Sequence, residues 1–209
     1  ADADNGEDIE ISHMLPRSID DLKARRVGLQ RAAELSLGTM GRTPDYMNVT
    51  FAGFADDIDH WAAQGNEQGH ANLVAFQERL RRDDLSLTHT IVHPTVDKTT
   101  DNLFLDNPIP LHKVGETSDS IVVRGGRMLA TLAPFADEQT VYPGAPVPPG
   151  SDPGYALAFT ISMDAPGLVF HCRDSGTRSG AALDTPFSAR YDEQDAYCIF
   201  DDVEIPKEN

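Results

Sequence analysis

Cysteine is nearly absent from this chain: two residues in 209, Cys172 and Cys198. That excludes a disulfide framework. Without a C-x-x-C pair or a Cys/His cluster, it also excludes the usual ligand patterns of zinc and iron–sulfur sites within the chain. Both thiols read as small core residues on strands, in a reducing cytoplasm. Long apolar runs are missing too, since none approaches the roughly 20 residues that a membrane-spanning helix needs. Positive charge is scarce: 17 Lys and Arg stand against 34 Asp and Glu, for a formal net charge of −17. A field of that sign repels nucleic acid and anionic membranes, so neither is an expected partner. No G-x-G-x-x-G fingerprint follows a strand, and no nicotinamide site is expected. The polar, acidic opening carries neither a signal peptide nor an initiator Met, which suggests a chain that starts inside a longer gene product.

What is present suffices for a folded core, with 40% hydrophobic residues. Residues 18–37 place Ile19, Leu22, Leu29, Ala33 and Leu37 at helical spacing, Ser18 and Asp21 suit a capping box, and Gly38 ends the segment. A second helix is expected over 67–84, with Leu73, Phe76 and Leu80 on one face and Arg79, Arg81 and Arg82 toward its end. Between them, 41–65 mixes Gly, Pro, Asp and aromatics around a short helix. From residue 87 the pattern turns to strands, at 87–93, 121–131, 139–142, 155–163, 168–172 and 196–200. Gly125 and Gly126 mark a hairpin or bulge, and the proline-rich stretch 143–153 marks a surface loop. Pro206 before Lys207-Glu208-Asn209 reads as the first turn of a further helix.

Four stretches carry a family resemblance. Gly41-Arg42-Thr43-Pro44-Asp45-Tyr46, Thr88-His89-Thr90-Ile91-Val92-His93-Pro94, Ala130-Thr131-Leu132-Ala133-Pro134-Phe135-Ala136-Asp137 and Pro186-Phe187-Ser188-Ala189-Arg190-Tyr191-Asp192-Glu193-Gln194-Asp195 resemble, in order and rough spacing, the oxygenase component of two-component phenol hydroxylases, the 4-hydroxyphenylacetate 3-monooxygenase family. The resemblance implies an α+β chain of the acyl-CoA dehydrogenase fold: part of the N-terminal helical domain over 1–86, a middle antiparallel β-barrel or sheet domain over 87–205, and at 206–209 the start of a C-terminal helical bundle that this chain lacks. It implies FAD, used as FADH2, with O2, a phenolic substrate, a separate NAD(P)H-flavin reductase and a homodimer or homotetramer. Without the bundle, this span alone is expected to be inactive.

Ortho-hydroxylation needs an electron-rich ring, so the protein must favour the phenolate and hold its oxygen. By resemblance Arg42 takes the phenolate charge, Tyr46 gives a hydrogen bond and His89 accepts the proton. The same comparison assigns the flavin to Val92, His93, Pro94 and Thr131, with Ser188 and Arg190 either anchoring a loop or meeting the flavin's phosphate side. Ser175, Gly176 and Thr177 fall in a Gly/Ser/Asp-rich stretch that is a substrate lid or simply a flexible loop. That stretch is shorter than in enterobacterial hydroxyphenylacetate enzymes, so hydroxyphenylacetate, a halophenol, tyrosine and a carrier-tethered tyrosine all stay open as substrates. The residues alone leave plainer readings: Arg42 as a helix-terminal cation, Tyr46 as a packing aromatic, His89 as a satisfied core histidine, Thr131 as a strand threonine. Rival functions are an acyl-CoA dehydrogenase, a 4-hydroxybutyryl-CoA dehydratase-like enzyme, or a non-catalytic flavin-binding module.

Overall fold

The computed structural model describes residues 8–43, 45–63, 65–95, 99, 104–176 and 183–209. They form two compact units, one of Ala1–Leu87 with Ser175–Glu193, the other of Thr88–Asp174 with Gln194–Asn209. The reading of 87–205 as one continuous β-domain thus differs in one respect. Ser175–Glu193 groups with the helices, because its hydrogen bonds run to that unit: the Tyr191 hydroxyl donates to the Leu35 carbonyl, and the Gly41 amide donates to Glu193.

The first unit holds α1 (Ile19–Leu35), α2 (Tyr46–Asp56), α3 (Ile58–Ala63) and α4 (Glu67–Asp83). The expected capping box is formed: Ser18 accepts from the Asp21 amide, and the Asp21 side chain accepts from the Ser18 amide. Gly38 closes α1 with φ +68°, its amide reaching the Ala33 carbonyl at 2.8 Å. The apolar positions of α1 do not become core, since none of its residues is buried and Ile19 and Leu35 are 73% and 80% exposed. Packing centres instead on α2 and α4, where the Phe51 ring meets Phe76 edge-on at 5.1 Å beside buried Met47 and Leu80. Each such buried side chain contributes about 1.5–3 kcal/mol. His13, in a 3-10 turn, is buried against them; one ring nitrogen lies 3.1 Å from the Asn48 amide, and Gln77 donates to its carbonyl.

The second unit carries β1 (Leu87–Thr90), β2 (His112–Glu116), β3 (Ser120–Thr131), β4 (Glu138–Val141), β5 (Phe159–Ser162), β6 (Leu168–Cys172) and β7 (Asp195–Pro206). They make a three-stranded sheet, β1-β4-β5, and a four-stranded sheet, β2-β3-β7-β6. Of the barrel-or-sheet expectation, sheets are what is present, with no closed barrel among the described residues. Inward residues of both, including Val141, Phe159, Cys198, Phe200 and Val203, form one core with Leu111, which precedes β2. Cys172 departs from its core reading: it lies exposed at the end of the edge strand β6, whereas Cys198 is buried and its thiol is pushed up to about 12 by that burial. Pro206 closes β7, and a turn rather than a helix follows it.

Two bulges interrupt the pairing of β3 with β7, one between Val123 and Gly125 and one between Arg127 and Ala130. The first fits the paired glycines, since Gly125 has φ +119° and a Cβ there would lie 2.6 Å from the Pro110 carbonyl oxygen. The second takes Met128 out of the ladder, freeing its amide to donate to Val92 at 2.9 Å. Leu129 and Leu132 around it take left-handed backbone conformations, φ +63° and +64°, a strained state for leucine.

Candidate functional site

In the first unit the Gly41–Tyr46 turn hands the chain to α2. The Tyr46 amide donates to the Thr43 carbonyl, and the Arg42 guanidinium lies 5.5 Å from the centre of the Tyr46 ring. A cation over a phenol face is attractive in itself and holds the two side chains side by side. Arg42 is exposed and Tyr46 half-buried. Pro44 lies outside the described residues.

The same unit carries Ser175 and Gly176, two of the residues expected in a lid or flexible loop. The Gly176 amide donates to Asp192 at 2.8 Å, the Thr185 hydroxyl donates to the Gly176 carbonyl, and a Cβ on Gly176 would lie 2.8 Å from Ser188. The Arg190 guanidinium rests 5.1 Å from the Tyr191 ring centre. Ser175 is exposed, and Thr177 lies outside the described residues.

In the second unit β1 is buried along its whole length. Side chains alternate in a strand. Thr88 and Thr90 therefore share a face and bond to the end of β3, Thr88 to the Thr131 carbonyl at 2.5 Å and Thr90 to the Met128 carbonyl at 2.8 Å. His89 takes the opposite face and stacks on Tyr142, with ring centres 5.9 Å apart and planes at 17°. Thr131 is buried at the point where β3 pairs with Asp195 of β7.

Beyond β1, Val92 is tied to Met128, Pro94 is buried, and the His93 ring sets its edge against Phe104 at 4.6 Å. Both His93 ring nitrogens are buried without a hydrogen-bond partner among the described residues. Its pKa falls to about 4, mainly because burial penalises the cation and secondarily because Arg127 repels it. Arg127 itself was not singled out in the sequence. It is wholly buried on β3, with Nη1 3.3 Å from the Ile91 carbonyl oxygen and with Nε and Nη2 unpartnered among the described residues. Burial draws its pKa down to about 10. The sequence does not separate it from Arg124 of the same strand, which is exposed and paired with Asp202.

Arg42 and Tyr46 are thus brought together in one unit. His89, Thr131 and residues 92–94 are held in the other by the hydroxyl bonds of Thr88 and Thr90. No group of three or more His, Cys, Asp or Glu side chains suited to a metal occurs among the described residues. No helix among them is long and apolar enough to cross a membrane.

A family profile described as "4-hydroxyphenylacetate 3-hydroxylase N terminal" matches residues 1–209. The 4-hydroxyphenylacetate 3-monooxygenase oxygenase component of Geobacillus sp. (strain PA-9) is 37% identical over 208 residues, 97% of this chain and 41% of that protein. The crystal structure of the oxygenase component HpaB complexed with FAD and 4-hydroxyphenylacetate superposes with a TM-score of 0.86 at 34% identity, over 98% of this chain and 42% of that one. A 4-hydroxybutyryl-CoA dehydratase from N. maritimus reaches a TM-score of 0.79 at 18% identity, over 98% of this chain and 41% of that one, which shows a shared fold and nothing of its chemistry. The chain spans about two fifths of the length of the curated relatives it matches.

Proposed function

This chain belongs to the 4-hydroxyphenylacetate 3-hydroxylase family, and from that premise we infer that it is the N-terminal part of an oxygenase that ortho-hydroxylates a phenol with reduced FAD and O2. The observation that carries the reading is the Arg42–Tyr46 pair, a cation fixed against a phenol hydroxyl-bearing ring at the start of a helix. Arg42 takes the developing phenolate charge, and Tyr46 donates a hydrogen bond to the same oxygen. His89, held in β1 and stacked on Tyr142, accepts the phenolic proton. Two-point recognition of one oxygen by Arg42 and Tyr46 favours the phenolate, which raises the electron density of the ring at the ortho carbon.

The residues of the second unit fit a flavin, because the two His93 nitrogens are buried polar atoms that lack a partner among the described residues. Val92, His93, Pro94 and Thr131 would hold its ring system. Ser188 and Arg190 are the candidates for its phosphate side. Bound reduced flavin would supply the electrons and the activated oxygen. Ser175, Gly176 and Thr177 then cover the substrate. The remaining length of the relatives leaves room for a C-terminal helical bundle completing an acyl-CoA dehydrogenase-like fold, with a middle domain closer to a barrel than the two sheets seen here. A separate NAD(P)H-flavin reductase, a homodimer or homotetramer, and a cytoplasmic setting complete the reading. The relative's description as an "oxygenase component" supports the reductase.

The test is to mix full-length protein with chemically reduced FAD, O2 and a panel of phenols. A catechol from at least one phenol is expected; flavin reoxidation with no catechol from any of them overturns the reading.

A further inference from the structure

Among the described residues, Arg127 is a charge without a counterpart. Its side chain is fully buried, yet of its three guanidinium nitrogens only Nη1 has an acceptor among them, the Ile91 carbonyl at 3.3 Å. That carbonyl also accepts from the Gly144 amide, so it does not depend on Arg127. The two unpartnered nitrogens, Nε and Nη2, are the pair that forms the side-on fork of a guanidinium, two parallel N–H bonds in one plane. A buried cation is retained only where something offsets its desolvation. No such group occurs among the described residues. Beside it, both His93 nitrogens are buried and equally unpartnered. Four orphaned polar atoms therefore cluster next to residues 91–94, whose place is set by Met128 of the bulge.

The missing acceptor has a definable chemistry. A planar fork calls for two adjacent in-plane acceptors sharing negative charge, and His93, kept neutral, offers one donor and one acceptor. The pyrimidine end of a reduced flavin has that character: N1 and the C2 carbonyl are neighbouring acceptors over which the anion is spread, with N3–H and the C4 carbonyl next to them. Oxidised flavin keeps the shape and lacks the charge.

We propose that Arg127 and His93 form the polar end of the flavin site, with the Nε/Nη2 fork of Arg127 taking the N1–C2 carbonyl edge and His93 the adjoining N3/C4 edge, so that the site favours the reduced, anionic form. The inference rests on the flavin reading above. It adds a residue outside the expected set and gives it a redox preference. Nη1 is held by the Ile91 carbonyl, and the neighbouring Val92 and His93 are partly open to solvent.

An orphaned cation makes a prediction that a structural arginine does not. In ligand-free protein, Arg127→Met should leave thermal stability unchanged or raised, because it removes unpaired buried N–H groups. The same variant should lose affinity for reduced FAD. The experiment titrates full-length wild type, Arg127→Met and Arg127→Lys anaerobically with dithionite-reduced FAD and, separately, with oxidised FAD, alongside thermal melts without flavin. Expected is a loss of tenfold or more for reduced FAD in Arg127→Met with under threefold for the oxidised form, equivalent to a fall of about 30 mV in the bound flavin's midpoint potential for each tenfold difference. Arg127→Lys keeps the charge and loses the fork, so it should fall between; it also stands in if the Met variant does not fold. Equal binding of both redox forms by wild type and variants overturns the proposal, with the fork then filled by water. Parallel loss of stability and of both affinities overturns it as well, in favour of a structural arginine. Wild type that binds no reduced FAD would instead sink the function reading on which it stands.

Discussion

The hydroxyl of Thr88 donates to the carbonyl of Thr131 across 2.5 Å, joining the residue before His89 to a residue expected at the flavin. Both residues are buried, so the bond is shielded from water. Thr88→Val keeps the shape and removes the donor. It should destabilise the protein by about 1–3 kcal/mol, the cost of a buried acceptor losing its partner. Chemical denaturation of wild type and variant checks this, and an unchanged midpoint would mean that the carbonyl finds another donor.

Gly125 sits where a side chain has neither the dihedral nor the room. With φ +119° and the Pro110 carbonyl oxygen 2.6 Å from a Cβ position, Gly125→Ala should cost about 1–3 kcal/mol in backbone strain, and more if the clash forces Pro110 aside. Gly53 is the control, since a Cβ there meets nothing within 4 Å and its helix tolerates alanine. Paired melts should show a large drop for Gly125→Ala and no drop, or a rise, for Gly53→Ala.

The contrast explains what was legible in advance. Ser18 with Asp21, Gly38, and the paired glycines of β3 signal through neighbours in sequence, and the elements they punctuate formed as read. Arg42 and Tyr46 were legible because one short turn carries both. β2 was missed: its His-Lys-Val-Gly-Glu run is a mostly exposed edge strand with no alternating apolar side to reveal it. The exposure of Cys172 and the burial of Arg127 were hidden for a related reason, since each depends on which strand lies alongside. Arg127 in particular is buried beside a bulge whose offset shows only in the pairing of β3 with β7.

Acid should weaken the fold in a defined window. His13 and His93 both have folded pKa values below 6.5, in each case chiefly because burial disfavours the cation. Between the folded and unfolded values the unfolded state binds more protons, so stability rises with pH there and is lost as pH falls. For His93 the window runs from about 6.5 down to about 4. His93→Phe, which can pack on Phe104, should flatten the slope of unfolding free energy against pH between those values. The variant should equal or exceed wild type in stability at pH 5. An identical slope would show that His93 titrates normally.

His89 offers the sharpest separation of chemistry from structure. If it accepts the phenolic proton, His89→Ala should slow catechol formation by roughly 10²- to 10⁴-fold, the usual range for loss of a general base. Binding of reduced FAD should be little changed, because the hydroxyl bonds of Thr88 and Thr90 that fix the end of β3 do not involve the imidazole. Reducing equivalents should then escape as hydrogen peroxide instead of entering the ring. A purely structural His89, stacked on Tyr142 and 8% exposed, predicts a different pattern: about 1–3 kcal/mol of stability lost and every step impaired alike. Measuring catechol, peroxide, flavin affinity and unfolding on the same preparation tells the two apart. The pH profile adds a further test, since substrates whose phenol is already ionised at the assay pH need no base and should recover much of the lost rate in His89→Ala. Failure of such acidic phenols to recover it would leave phenolate recognition to Arg42 and Tyr46 alone.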